Sequence, residues 1–254
     1  MKKLLLLLLV SSICLWGCLN SEEDVTINAD GSGVYQNTMD MSGMFDMMDM
    51  LAAMDTSQNS QLKKVSDKDI DSSFSFKSFI DTVTSLTADE KRLFEKATMR
   101  MNINQKQKKF KMTVSYPFAK MNDLQKIIEL QQSNKAPNPF DRSMGGNDAS
   151  PDNAGLPAIN KIMNITFKNG LIERKIDKEK IKDLESSEQL KDMEKAEQML
   201  EAITFTSSFH LPRAAKNATG EKIKLSNDKK TITVNYTMMD IIKAPSSLEF
   251  KVEY

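Results

Sequence analysis

The clearest strand pattern in the sequence is Phe110-Lys111-Met112-Thr113-Val114-Ser115-Tyr116-Pro117-Phe118. Apolar and polar residues alternate along it without a break, which is the period of a β-strand with one buried face. Directly behind it, apolar residues recur at helical spacing, at Met121, Leu124, Ile127, Ile128 and Leu130. A one-faced strand followed by an amphipathic helix predicts a helix that packs on a sheet.

The same order of hairpin and helix occurs three times. Residues 25–41 alternate on both sides of Asp30-Gly31-Ser32-Gly33, whose glycines permit a tight turn. Residues 162–176 contain Lys168-Asn169-Gly170, a second hairpin signal, and a charged helix is predicted over 178–202. We therefore predict an α+β fold: antiparallel sheets built from hairpin-then-helix units, with helices covering one sheet face.

Two helix boundaries and one loop are predicted from local signals. Thr87-Ala88-Asp89-Glu90 has the pattern of a capping box, so a helix should begin there. A short helical turn is predicted over 238–244, between two alternating runs. The polar residues 57–73 are interpreted as a loop or an irregular strand.

Residues 134–157 differ in composition from the rest of the chain. They hold four of the seven prolines and three of the nine glycines. Such a stretch is typical of a flexible linker or a long loop. It divides an N-terminal α+β region, 18–133, from a C-terminal one, 158–254. The spacings leave open whether these are two domains or one sheet with a long excursion.

The N-terminus has the features of a secretory signal peptide over residues 1–17. Lys2 and Lys3 precede a short apolar run, which is too short for a membrane-spanning helix. The run ends at Leu15-Trp16-Gly17-Cys18, which resembles the lipobox of bacterial lipoproteins. That resemblance implies cleavage before Cys18 and lipidation of its sulfur, including palmitate. The alternative is a soluble secreted protein that is cleaved elsewhere.

Composition excludes several classes of function. The chain has 35 basic and 35 acidic residues among 254, so nothing in its charge points to a nucleic acid partner. With Cys14 removed and Cys18 acylated, no thiol remains for a disulfide or a nucleophile. One histidine cannot build a multi-histidine zinc site, so we predict no metal and no cofactor.

No catalytic residue is predicted. His210, the single histidine, shares strand parity with Thr206 and Ser208, opposite Phe209, and should face solvent or a polar groove. A histidine base also needs a nucleophile and an orienting carboxylate, which sequence does not place. A hydrolase that uses paired carboxylates stays open as a distant alternative.

An anionic cluster, Ser21-Glu22-Glu23-Asp24, follows the cysteine closely. Its position resembles the surface-export signal of Bacteroidota lipoproteins, which implies an outer-membrane protein that is exposed at the cell surface. The alternative interpretation is a solvated tether between the lipid and the fold.

A methionine-rich segment, 39–54, is predicted to form a short amphipathic helix. Its apolar face consists of Met44, Met47, Met48, Leu51 and Met54. Flexible thioether side chains suit varied apolar partners, so this face is a candidate site for a lipid or other apolar ligand. The alternative is a core helix that packs on a sheet.

Two blocks together resemble an uncharacterised family of Bacteroidota lipoproteins and, more distantly, the LppM-type lipoprotein domain. The first is Ile27-Asn28-Ala29-Asp30-Gly31-Ser32-Gly33, and the second runs from Leu211-Pro212-Arg213 to Thr231-Ile232-Thr233-Val234. The resemblance implies an α+β fold and contact with glycolipid. Its motifs are structural, so it assigns no functional residue.

The sequence thus predicts a non-enzymatic, membrane-anchored lipoprotein that acts as a binding or assembly module. Its partners are the membrane, through the N-terminal lipid, and a protein or a lipid ligand. The alternative function is a carrier or sensor of an apolar ligand that uses the helix at 39–54.

Overall fold

The computed structural model describes residues 19–43, 45–46, 69–133, 135, 162–186 and 200–254, and it has the predicted α+β fold. The strands are β1 (Leu19–Ile27), β2 (Gly33–Asp40), β3 (Ile70–Ser75), β4 (Thr98–Asn104), β5 (Lys109–Phe118), β6 (Met163–Lys168), β7 (Leu171–Ile176), β8 (Ile203–His210), β9 (Asn217–Gly220), β10 (Ile223–Leu225), β11 (Thr231–Thr237) and β12 (Phe250–Glu253). The helices are α1 (Lys77–Ile80), α2 (Ala88–Phe94), α3 (Met121–Gln132), α4 (Lys178–Ser186) and α5 (Met238–Lys243), and a 3-10 turn spans Pro245–Leu248.

The described strands form two sheets. Eight make a large sheet in the order β10-β11-β8-β1-β2-β5-β4-β3, and four make a smaller one in the order β6-β7-β12-β9. Neighbours are antiparallel except β1 and β8, which run parallel with Val25 opposite Phe209. The large sheet therefore contains strands from both sides of the segment 134–157. Apart from Lys135, that predicted linker lies outside the described residues.

The main core lies between the two sheets and under the helices. Phe209 of the large sheet contacts Phe167 and Phe250 of the smaller one, with ring centroids 6.0 and 5.6 Å apart. Buried residues from the other elements complete this core, among them Val25, Phe94, Val114, Leu124, Ile127, Ile172, Ile232, Met238 and Leu248. In the large sheet, the strand residues that alternate with these buried ones point to the other face, and almost all of them are polar. One face of that sheet is thus buried, as predicted.

Several local predictions are confirmed. Gly31 and Gly170 both have φ of +83°, which a glycine accepts without strain, and each lies in the predicted hairpin turn. Thr87 caps α2: its Oγ accepts from the N–H of Glu90 at 3.3 Å, and its own N–H donates to the Glu90 carboxylate at 2.8 Å. The turn predicted over 238–244 is α5.

Three elements differ from the prediction or extend beyond what the structure describes. The polar stretch at 57–73 ends inside a regular strand, because β3 begins at Ile70. The strand β9 has no apolar alternation and was not predicted. The predicted helix over 178–202 is seen as α4 and again at Leu200 and Glu201, while 187–199 lie outside the described residues.

Gly33→Ala is expected to lower the free energy of unfolding by about 3 kcal/mol. This is the upper end of the range of destabilisation that overpacked side chains usually cause. A methyl group there would overlap the carbonyl oxygen of Thr26 across the β1–β2 pair, and it would lie 2.5 Å from the Phe118 ring. Gly31→Ala is the control, since it meets no atom within 4 Å and is strained only by its φ. It should cost about 1 kcal/mol. Equal losses in chemical denaturation of the two variants would contradict the proposed close approach.

Candidate functional site

The residues singled out as sites in the sequence lie outside the described residues. This holds for Cys18 and for the apolar face Met44, Met47, Met48, Leu51 and Met54. Their neighbours are described, however. The strand β1 begins at Leu19, immediately after Cys18, and Gly43, Phe45 and Asp46 are helical.

The beginning of the methionine-rich segment packs on a second, smaller apolar cluster. Phe45 and Met41 are buried there, together with Met101, Ile103, Phe110 and Met112. Asp46 also forms an ion pair with Lys108, in the turn between β4 and β5, with 2.7 Å between the carboxylate and Nζ. These contacts place the described beginning of the segment, up to Asp46, against the core.

The anionic cluster is part of a regular strand, so the interpretation of it as a solvated tether is wrong. Glu22, Glu23 and Asp24 all belong to β1, which is hydrogen-bonded to β2 on one side and β8 on the other. Strand alternation sends Glu23 to the buried face with Val25, and it sends Asp24 to the opposite face. The two carboxylates consequently have different partners.

Glu23 forms an ion pair with a buried arginine of the smaller sheet. Arg174 Nη2 donates to Glu23 Oε2 at 3.2 Å and to Ser207 Oγ at 2.8 Å. The Arg174 side chain is 3% exposed, and its guanidinium lies 5.0 Å from the ring centroid of Phe250 and 5.6 Å from that of Tyr236. Within the described chain, its Nη1 has no hydrogen-bond partner. This cluster joins the two sheets through charge as well as apolar contact.

The tyrosines beside this ion pair are held neutral. Burial raises the pKa of Tyr35 well above its ordinary value, and the charge of Glu23 raises it further. Burial also raises the pKa of Tyr236, although the positive charge of Arg174 partly opposes this. These phenols therefore keep their protons at physiological pH. The arrangement therefore stabilises the sheet interface.

His210 lies on the polar face of the large sheet, as its strand parity predicts. Its Nε2 is 2.8 Å from Asp24 Oδ2, and its Nδ1 is 3.3 Å from Thr231 Oγ. A hydroxyl, an imidazole and a carboxylate in series have the order of a hydrolytic triad, but catalysis also needs donors for an oxyanion. The N–H of Thr231 already donates to Ser226 Oγ, and β1 and β8 are paired on both sides. The contacts of His210 with Asp24 and Thr231 join β8 to β1 and to β11, so they support the pairing of these three strands.

A cavity of about 200 Å³ lies at the end of the molecule where β1 finishes. Its lining comes from the β1–β2 turn, the β6–β7 turn, the segment after β8, the first residue of α3 and the chain after β12. The lining residues are Ile27, Asn28, Ala29, Gly31, Met121, Asn169, Pro212, Arg213 and Tyr254. Sequence reasoning did not predict this site, because no single segment carries its pattern.

Arg213 is the one charged residue among those that line this cavity. Its guanidinium lies 5.9 Å from the ring centroid of Tyr254, a cation–π distance. The Gly170 backbone lies beside it, since a Cβ built at that position would be in van der Waals contact with Arg213 Nη2, at 3.5 Å. The contact with Tyr254 places this positive charge at the cavity mouth.

Two kinds of feature are absent from the described residues. Across residues 19–43, 45–46, 69–133, 135, 162–186 and 200–254, no cluster of three or more histidine, cysteine or acidic side chains could hold a metal ion. Within those same ranges, no helix has the length and apolar character needed to cross a bilayer.

Comparisons with known proteins give one weak likeness. No protein-family model matches this chain. It also matches no curated protein. Among solved structures, the NMR structure of the folded domain of LppM from Mycobacterium tuberculosis aligns with 94% of this chain and 91% of its own, with a TM-score of 0.38 and 8% identity. No residue role is carried over at that level, and membership of a Bacteroidota family stays a prediction.

Proposed function

We propose that this protein is a lipid-anchored, non-enzymatic binding or assembly module at the outer membrane, attached through acyl chains on Cys18 and facing the cell exterior. The observation that carries the proposal is the position of β1. This strand begins at Leu19 and is an interior strand of the large sheet, between β2 and β8. A lipid on Cys18 would therefore be joined to the fold with no intervening tether.

That attachment orients the molecule relative to the membrane. The end of the sheet at which β1 starts would face the lipid, and the end at which β1 finishes would point away from it. Nine residues of strand at about 3.3 Å each separate the two ends by about 30 Å. The cavity beside Ile27 is at the far end, where a soluble ligand or a partner could reach it.

Cys18→Ser is expected to abolish palmitate incorporation and to release the protein from the membrane fraction. More than one acyl chain is needed for stable attachment, and this substitution removes the acceptor sulfur. Cys14→Ser is the matched control, because residue 14 lies within the predicted signal peptide and is absent from the mature protein. Metabolic labelling with palmitate, followed by fractionation, measures both variants.

Labelling that persists in Cys18→Ser, or a mature N-terminus at another residue, would contradict the proposed anchor. Orientation is tested separately by protease treatment of intact cells. Digestion of the protein in intact cells supports exposure at the surface, whereas digestion only after lysis would overturn it.

A further inference from the structure

The cavity at the far end of β1 has a rigid rim. The β1–β2 turn is closed by hydrogen bonds from Asn28 N to Ser32 O at 2.8 Å and from Asn28 Nδ2 to Ser32 Oγ at 3.0 Å. Asp30 accepts from both the hydroxyl and the N–H of Ser32, which lowers the pKa of Asp30. The opposite rim is fixed by Tyr254, whose N–H donates to Gly170 O at 2.9 Å. These hydrogen bonds hold both turns that border the cavity.

The one charged side chain among those that line the cavity is positive. Arg213 is exposed, and in the described part of the chain its guanidinium has no carboxylate within ion-pair distance. The cavity lining contains no acidic residue. A guanidinium presents a planar fork of donors that matches a carboxylate or a phosphate in two places at once.

The other residues that line the cavity indicate which chemical groups the rest of the ligand would carry. Asn28 and Asn169 come from different turns, and each side-chain amide can both donate and accept, as a hydroxylated ligand requires. Ile27 and Met121 give the cavity an apolar floor. A volume of about 200 Å³ is below the ~300–1,000 Å³ of sites for drug-sized molecules, so it fits one sugar-sized group.

We propose that this cavity binds a small hydroxylated anion, of the class of a sugar acid or a sugar phosphate, with Arg213 paired to its carboxylate or phosphate. This proposal rests on the proposed function, since it names the ligand class of the binding module. The ligand could be free or the last residue of a longer glycan, because the cavity is open at its mouth.

Isothermal titration calorimetry of the full mature protein in detergent tests the proposal with three probes at millimolar concentrations. Glucuronate supplies a carboxylate, glucose 6-phosphate supplies a phosphate, and glucose is the neutral control. We expect at least one anion to bind at least about tenfold more tightly than glucose, since a hydrogen bond to a charged group exceeds a neutral one by about that factor. Arg213→Gln should remove that difference.

Arg92→Gln is the matched control, because Arg92 is exposed on α2 and pairs with Asp89 at 3.3 Å. It should bind like the wild type, and circular dichroism should show that both variants are folded. Failure of both anions to bind, equal binding of glucose, or full binding by Arg213→Gln would each overturn the proposal. Cys18→Ser is expected to bind the anion normally, so failure of the anchor and failure of the site are separable.

Discussion

Arg174→Ala is expected to lower the free energy of unfolding by about 3–5 kcal/mol, because it leaves the charge of Glu23 without its partner between two sheets. The Arg174 side chain is 3% exposed and that of Glu23 is 22% exposed, so water replaces little of the lost interaction. Truncation also removes the guanidinium from its place beside Phe250 and Tyr236, which leaves a cavity. Urea denaturation followed by circular dichroism measures the loss.

Arg100→Ala is the matched control for this prediction. Arg100 also joins two strands through an ion pair, with Asp71, but the two side chains are 64% and 55% exposed. Its loss should cost less than about 1 kcal/mol. The double variant Arg174→Met, Glu23→Gln removes both charges and should recover much of the stability. Equal effects of the two single arginine substitutions would contradict the buried pair.

The sequence contains a signal for this pair that strand alternation makes visible. Arg174 shares its parity with Ile172 and Ile176, and Glu23 shares its parity with Val25. Each strand therefore places one charge on its buried face, and the two charges are opposite. Their pairing is still not predictable locally, because 151 residues separate them and the contact depends on how the sheets pack.

Predictions that rest on neighbouring residues are the ones that were confirmed. The alternation of β5, the glycine of the β6–β7 turn and the capping box at Thr87 each depend on a few consecutive residues. The parallel pairing of β1 with β8 depends instead on residues far apart in the chain. The same is true of the cavity, which needs five segments to meet before Arg213 has a role.

The position of the anionic cluster shows how tertiary structure changes the meaning of a local pattern. Taken alone, Glu22, Glu23 and Asp24 are equally compatible with a solvated segment and with an export signal. In the fold, Glu23 pairs with Arg174 and Asp24 lies 2.8 Å from the His210 ring. These partners give the cluster a structural role inside β1, whether or not export machinery also recognises it.

Alkaline pH is expected to unfold the protein cooperatively, with a stability loss approaching about 4 kcal/mol per pH unit. Burial raises the pKa of Tyr35, Tyr116 and Tyr236 above the ordinary value of 10.0, so the folded state holds three phenolic protons that the unfolded chain releases. Burial raises the pKa of Tyr254 as well, which adds to the loss. The stability linked to these protons is complete below about pH 10 and is lost as the pH rises towards the folded pKa values. Each tyrosine contributes about 1.4 kcal/mol per pH unit in that window.

Ultraviolet absorbance of phenolate and circular dichroism, recorded on the same samples, test this prediction. The two signals should change together, because the phenols ionise only when the core opens. Tyr116→Phe removes one of the three groups, and it should make the loss shallower by about 1.4 kcal/mol per pH unit. Tyr116 suits this test because its phenol is separate from the Glu23–Arg174 pair and interacts instead with Gln131. Phenolate absorbance that rises with an ordinary pKa near 10 while the circular dichroism stays native would show that these rings are open to water, and the two sheets would then not enclose them.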